Sequence, residues 1–341
     1  MRRIYHRPAG LVYGPDARHI IGQGRGASLG GLSAIAYAMI EIIERNGQSV
    51  SRRFESFDVV PGERLPAISW PEDRPLVMGI VNVTPDSFSD GGKNAETARA
   101  VAHGLQLAKE GADILDVGGE STRPGSEGVP AGEELARVIP VIEALAAEGL
   151  RVSCDTRKAD VMTAALAAGA SIINDVSALT YDPASLATLA KANCPVILMH
   201  AQGDPKTMQL SPVYEHVALD VFDMLEGRIA ACVAAGISKD RLIADPGIGF
   251  GKTFRHNLDL LQAFTLFHGL GVPLLMGLSR KGFIGALTGE KLAANRVNGS
   301  VGGAIWSVLN GAHILRVHDV KATVEALAVV RASAEPGEAG L

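Results

Sequence analysis

Leu76-Val77-Met78-Gly79-Ile80-Val81-Asn82-Val83 is apolar throughout except for Asn82 near its end. An apolar run of this length without alternation predicts a strand buried on both faces, as in a parallel sheet covered by crossover helices. The same form recurs down the chain. Residues 112–117 contain Asp116, 152–154 run into Asp155, and 171–173 run into Asn174 and Asp175. Residues 195–199 lead to His200, 242–244 to Asp245, 273–278 to Ser279 and Arg280, and 314–317 to His318.

Helical patterns separate these runs. Residues 95–110, 131–148 and 213–235 carry apolar residues at three- and four-residue steps, with glycine at 111, 149 and 236 where a helix C-cap favours it. Eight such strand and helix pairs over about 250 residues predict an α/β fold, a TIM-type eight-stranded parallel β/α barrel. A doubly wound sheet is the alternative, but it would gather polar residues at one switch point. Here every strand-like run ends in one, as the carboxyl-end mouth of a barrel requires. The expected organisation is an N-terminal extension of unknown role over residues 1–72, the barrel over 73–335 and a short tail over 336–341. In the extension, residues 35–43 read as a strand or a short helix. Gly22, Gly24 and Ala27 fit GxGxxA, but no βαβ unit surrounds them to make a dinucleotide site.

Composition narrows the class. Of 341 residues 47% are hydrophobic and 5% aromatic, so aliphatic side chains must fill the core. The net charge of −5 gives no nucleic-acid surface and no polybasic membrane patch. Cys154, Cys194 and Cys232 are odd in number and scattered, which argues against a disulfide framework and for a reducing compartment. No apolar run reaches membrane-spanning length and no signal peptide is evident, so the expectation is a soluble, cytoplasmic protein. Glycine is in excess, 39 residues, about 11% against a typical ~7%. Backbone must bend or approach a ligand closely somewhere.

The strand ends carry the chemistry. After the first strand, residues 82–92 mix hydroxyls, carboxylates, proline and paired glycines, the makings of a loop that closes over a ligand. Asn82 supplies a hard oxygen of the kind Mg²⁺ accepts when phosphate and water complete its shell, or it simply caps a turn. After the second strand, Gly118 and Gly119 precede Thr122 and Arg123, a hydroxyl and a planar cation suited to an anion. Asp155, Asn174 and Asp245 at strand ends need donors if they point into an apolar barrel, or else cap the following helices. Residues 245–253 nearly match a phosphate-binding loop, but Pro246 replaces its first glycine, leaving a tight turn that presents Phe250. Gly277-Leu278-Ser279-Arg280-Lys281 fails as a nucleophile elbow at Lys281. Arg280 with Lys281, and Arg316 with His318, follow the last two strands, where barrels often hold phosphate.

In this order and spacing, MGIVNVTPDSFSDGG, LDVGGESTRPGS, CDT, IND, LMH, DPGIGFGKT, GLSRK and RVHDV over residues 76–320 closely resemble the dihydropteroate synthase family of pterin-binding enzymes. The resemblance implies condensation of 6-hydroxymethyl-7,8-dihydropterin diphosphate with 4-aminobenzoate, assisted by Mg²⁺, in a homodimer that sulfonamides target. It assigns the pterin to Asp155, Asn174, Met199, Asp245 and Lys281, and the diphosphate and metal to Asn82, Arg316 and His318. Thr122, Arg123, Phe250 and Ser279 fall on the aminobenzoate side, and Asp86, Lys281, Arg316 and His318 on the catalytic set. Gly282 departs from relatives that carry a larger residue there. A folate-binding methyltransferase has no need of the aminobenzoate loops, and a catalytically silent relative has no need of the full charged set.

Overall fold

The computed structural model describes residues 2–57, 65–72, 74–83, 92–121, 126–203 and 207–335, with the backbone alone at 92–94. Asp86, Thr122, Arg123, the rest of the 84–89 loop and the tail 336–341 lie outside the described residues.

The extension folds first in chain order: β1 (Arg2–Tyr13), α1 (Gly14–Gly22), β2 (Ala27–Leu29), β3 (Leu32–Asn46) and β4 (Ser49–Ser56). Residues 35–43 are therefore strand. They lie within β3, which pairs antiparallel with β1, β2 and β4. Its isoleucines serve two faces: Ile40 and Ile42 join a core with Leu29, Leu32 and Tyr37, while Ile43 packs towards the barrel.

The barrel strands are β5 (Leu76–Asn82), β6 (Ile114–Gly118), β7 (Val152–Asp155), β8 (Ile172–Asp175), β9 (Val196–Met199), β10 (Leu242–Asp245), β11 (Leu275–Met276) and β12 (Ile314–Val317). They pair in parallel in the order β10-β9-β8-β7-β6-β5-β12-β11, and a bridge between Ala244 and Leu274 closes the ring. The eight-stranded TIM-type barrel is thus realised. Helices α2 (Gly92–Lys109), α3 (Ala131–Ala147), α4 (Ala159–Ala167), α5 (Ser185–Lys191), α6 (Val217–Ala234), α7 (Phe254–Gln262), α8 (Gly282–Thr288), α9 (Val297–Leu309) and α10 (Val320–Ala334) surround it. Gly111, Gly149 and Gly236 all take positive φ, ending α2, α3 and α6 as their spacing predicted. Helix α6 starts later than the sequence pattern indicated. Gln202 exchanges two hydrogen bonds of 2.9 Å with the backbone of Val213, which keeps that stretch extended until His216. Among the described residues, no helix is long and apolar enough to cross a membrane.

Side chains alternate along each barrel strand. Leu76, Met78, Ile114, Ile172, Ile197, Ile243, Leu275 and Ile314 turn inward to form one apolar layer, closed from below by Trp70. Two residues further along several of these strands the inward position is polar, which opens the carboxyl end to chemistry.

The extension grips the opposite end and one flank. Tyr5 donates to Asp223 of α6 at 3.0 Å and meets Phe222 edge-on at 5.6 Å. Arg45 bonds Asp220 at 2.6 Å and Glu215 at 2.7 Å. The Gly30–Gly31 turn reaches the amino end of the barrel. There His313 accepts the Leu274 N–H at Nδ1 (2.9 Å), so its Nε2 carries the proton donated to Gly30 O (2.8 Å). Gly30 has φ of 64°, and a Cβ there would lie 2.8 Å from the rings of both His268 and His313. Only glycine fits.

Burial holds both imidazoles neutral: His268 is pushed down to about 3 and His313 to about 4. In the unfolded chain such rings titrate near ~6.5. The contribution of each to stability is therefore complete above that value and is lost as pH falls through it towards the folded value. Ring-nitrogen NMR at pH 5 should find both rings uncharged in the folded protein. Titration of either near pH 6.5 would contradict this packing.

Candidate active site

The site follows from a two-residue step. Ile114 leads to Asp116, Ser153 to Asp155, Ile172 to Asn174, Ile197 to Met199, Ile243 to Asp245 and Ile314 to Arg316. The six lower members are buried and, Ser153 apart, apolar, and all belong to strands whose carboxyl ends face the mouth. Asp155, Asn174, Met199, Asp245 and Arg316, with Phe250, Ser279, Lys281 and His318, converge on one cavity whose lining also includes Ile80, Val176 and Gly277, and Asp116 lies behind Arg316.

Arg316 stands at its centre. Its Nε donates to Asp116 Oδ2 at 2.6 Å and its Nη2 to Asp155 Oδ2 at 2.7 Å. Asn174 donates to the same Asp116 oxygen at 3.1 Å. Asp116 was given no role by its sequence, where it interrupts an apolar run, yet it is 0% exposed and its Oδ1 has no hydrogen-bond partner. Two carboxylates thus share one guanidinium. Burial pushes Asp155 well above the usual carboxylate range against the pull of Arg316. Burial also works against the charge on Arg316, but Asp116 and Asp155 outweigh it and hold the guanidinium protonated.

The loop after β10 supplies the next wall. Asp245 Oδ1 accepts the Gly247 N–H at 2.7 Å, a local turn rather than a helix cap. Gly247 has φ of 67°, and a Cβ there would sit 1.9 Å from His200 O, so the chain can pass only as glycine. Lys281 donates to Ile248 O and lies 4.5 Å from the centre of the Phe250 ring. Burial lowers its pKa to about 8, with nearby Asp245 opposing the shift. Burial raises Asp245, and Lys281 pulls the other way.

Other cations look elsewhere. Lys252, the lysine of the rejected phosphate-loop match, is buried. Its Nζ lies 2.9 Å from His200 Nδ1 and donates to Phe250 O at 3.0 Å and His200 O at 3.3 Å. Arg280, grouped with Lys281 in the sequence as a basic strand end, is bidentate to Asp319 at 3.0 and 2.5 Å. Ser279 Oγ accepts the His318 N–H at 3.2 Å and lies 3.1 Å from His318 Nδ1. Asn82 ends β5 in register with Gly118, at the rim rather than in the cavity lining. A Cβ at Gly282 would meet nothing within 4 Å, so packing does not impose glycine there.

Comparison with known proteins agrees with this arrangement. Residues 78–318 match the family described as pterin binding enzymes. A dihydropteroate synthase of Neisseria meningitidis serogroup B is 53% identical over 262 residues, covering 75% of this chain and 92% of its own. Two solved structures from Xanthomonas albilineans each cover 76% of this chain and 93% of their own. A dihydropteroate synthase with 4-aminobenzoic acid superposes with a TM-score of 0.73 at 55% identity. One in complex with 7,8-dihydropteroate superposes at 0.68 and 49%.

Removing one partner of a buried charge network leaves the others unpaired. Asp116→Ala should therefore destabilise the fold by about 3 kcal/mol in denaturant unfolding. A loss below about 1 kcal/mol would show that Asp155 alone satisfies Arg316.

Proposed function

We infer that the chain, which belongs to the pterin-binding enzyme family, catalyses the dihydropteroate synthase reaction. It condenses 6-hydroxymethyl-7,8-dihydropterin diphosphate with 4-aminobenzoate to give 7,8-dihydropteroate and pyrophosphate, an alkyl transfer in folate biosynthesis. The observation that carries this reading is the cavity itself. It gathers acceptors for a donor-rich heterocycle (Asp155, Asn174, Asp245) beside two cations (Lys281, Arg316) at the carboxyl ends of one barrel.

The amino group and ring N–H of the pterin form a fork of donors. Carboxylates in an apolar throat need such donors, and Asp155 and Asp245 supply the complementary acceptors. Met199 packs against the ring and Asn174 bonds its edge. Loss of pyrophosphate leaves a cation at the methylene carbon, delocalised into the electron-rich dihydropterin. The protein then has to stabilise the leaving charge and keep water away. Arg316 and His318 serve the first need. Nε and Nη2 of Arg316 are engaged by carboxylates, so Nη1 is its donor for a diphosphate oxygen. The aniline nitrogen attacks from the side of Phe250 and Ser279, to which the family resemblance also assigns Thr122 and Arg123, and no enzyme nucleophile takes part. The family resemblance adds Asp86 to the catalytic set.

Magnesium is part of this reading through the family resemblance. Asn82 would offer one hard oxygen to it. That suits a cation whose shell is completed by water and substrate phosphate. When bound, the ion would neutralise charge building on the departing diphosphate.

A homodimer through the last barrel helices is part of this reading. Leu287 and Leu292, at and just after the end of α8, and Trp306 on α9 are exposed apolar residues, Trp306 by 50%. Three buried, unpaired cysteines are in keeping with a reducing, cytoplasmic setting.

The purified protein with both substrates and Mg²⁺ should release pyrophosphate and form dihydropteroate in equal amounts. A folded protein without turnover would overturn the reading. Arg316→Ala should weaken binding of the pterin diphosphate by about tenfold or more in calorimetry, with a smaller effect on the pterin lacking phosphates. Unchanged affinity for the diphosphate would remove Arg316 from that role.

A further inference from the structure

We propose that Lys252 is a positioning residue that holds the Phe250 ring against the cavity; this rests on the functional reading given above. Phe250 and Lys281 are neighbours in the cavity lining, with Lys281 Nζ 4.5 Å from the ring centre. Lys252, two residues beyond Phe250, lies behind this wall and is 2% exposed. Its Nζ reaches back to donate to Phe250 O at 3.0 Å. It also crosses to the end of β9, where it donates to His200 O at 3.3 Å and lies 2.9 Å from His200 Nδ1. One amine thus joins the loop after β10 to the loop after β9.

The turn that carries Phe250 needs such a link. Glycines at 247, 249 and 251 all take positive φ, and glycine backbone is free to leave that region as well as to enter it. The shoulders of the turn are fixed from elsewhere. The Gly249 N–H donates to Asn257 Oδ1 at 2.7 Å, and Tyr214 donates to Gly251 O at 2.8 Å. Between them, the Phe250 carbonyl is held by Lys252. Fixing that carbonyl fixes the backbone from which the ring projects.

Stability alone does not call for an amine at this place. Its three partners, two carbonyls and one imidazole nitrogen, match the three positions on an amine nitrogen, and none of them is an anion. Burial, with Lys252 beside it, pushes His200 well below the usual histidine range and keeps its ring neutral. Burial also drives Lys252 well below the usual lysine range; Asp245 opposes this shift and Lys281 adds to it. Taking an amine out of water is costly, and a methionine of similar length would fill the space without that cost. What the amine adds is a fixed tie between two loops, and the side chain that this tie places at the mouth is Phe250.

The test is a double-mutant cycle read in the KM of each substrate. Lys252→Met and Phe250→Ala should each raise KM for 4-aminobenzoate about tenfold. KM for the pterin diphosphate should stay within about twofold, since Asp155, Asn174 and Arg316 stand on other strands. Combined, the two substitutions should match Phe250→Ala alone within about twofold, because Lys252 then has no ring to place. Lys252→Gln, which keeps a donor for one carbonyl, should recover part of the loss. Multiplied effects in the double variant, equal effects on both KM values, or a fall in melting temperature with neither KM changed would overturn the proposal and leave Lys252 purely structural. If Lys252→Met does not fold, Lys252→Gln takes its place in the cycle, and failure of both to fold overturns the proposal as well. A folded wild type that forms no dihydropteroate would instead remove the functional reading, and the proposal with it.

Discussion

One guanidinium in the barrel throat sets the terms for everything above it. Arg316 rises from a strand whose preceding inward residue, Ile314, lies in the apolar layer, and it holds Asp116 and Asp155 together. A carboxylate such as Asp116, with no solvent exposure, is sustainable only with a charged or multiple-donor partner. Two carboxylates share one cation, and burial, with Asp116 beside it, raises Asp155 against the pull of Arg316. In the functional reading given above, a ligand rich in N–H groups is matched to what the buried acceptors lack.

The barrel divides its two ends between stability and chemistry. At the amino end apolar and neutral contacts dominate, with Trp70 beneath the isoleucine layer and the Gly30 turn between two uncharged imidazoles, and the ion pair of Arg74 with Asp113 sits on its rim. At the carboxyl end nearly every contact involves an ion. Charged groups can be gathered at the mouth because the far end and flank are secured separately by an extension none of whose described residues lines the cavity. Arg45, Tyr5 and Thr265 show how the extension attaches, through the flank of α6 and the segment after α7.

Much of this was legible in the sequence because parallel strands advertise themselves as unbroken apolar runs, and their carboxyl ends as the polar residue that follows. The barrel, its strand ends and most of the cavity lining could be read in that way. What escaped was decided by partners distant along the chain. Residues 35–43 are apolar enough for either element, and only pairing with β1 and β4 makes them strand. The Gly30–Gly31 pair has no local explanation, since the rings that exclude a side chain belong to residues 268 and 313. Asp116 looked like an interruption of a strand because its meaning lies in Arg316, 200 positions away. Lys252 and Arg280 offered charge without revealing that backbone carbonyls and Asp319 already claim them.

Arg280 shows why neighbouring cations on one loop need not share a role. It takes φ of 60°, a left-handed conformation that costs a residue with a Cβ about 1–2 kcal/mol. Three contacts fix it there: its N–H donates to Ser300 Oγ at 2.8 Å, its carbonyl accepts from Arg296 at 3.0 Å, and its side chain is bidentate to Asp319. The reversed backbone sends Arg280 outward to the β12 loop and turns the next residue, Lys281, inward to Ile248 O and Phe250. Asp319 itself follows His318, whose N–H rests on Ser279, the residue before Arg280. The loops after β11 and β12 are therefore interlocked twice, by an ion pair on the outside and a hydroxyl within. Strain at one residue is exchanged for the fixed placement of Lys281 and His318 relative to each other, a geometry that neither loop would hold alone.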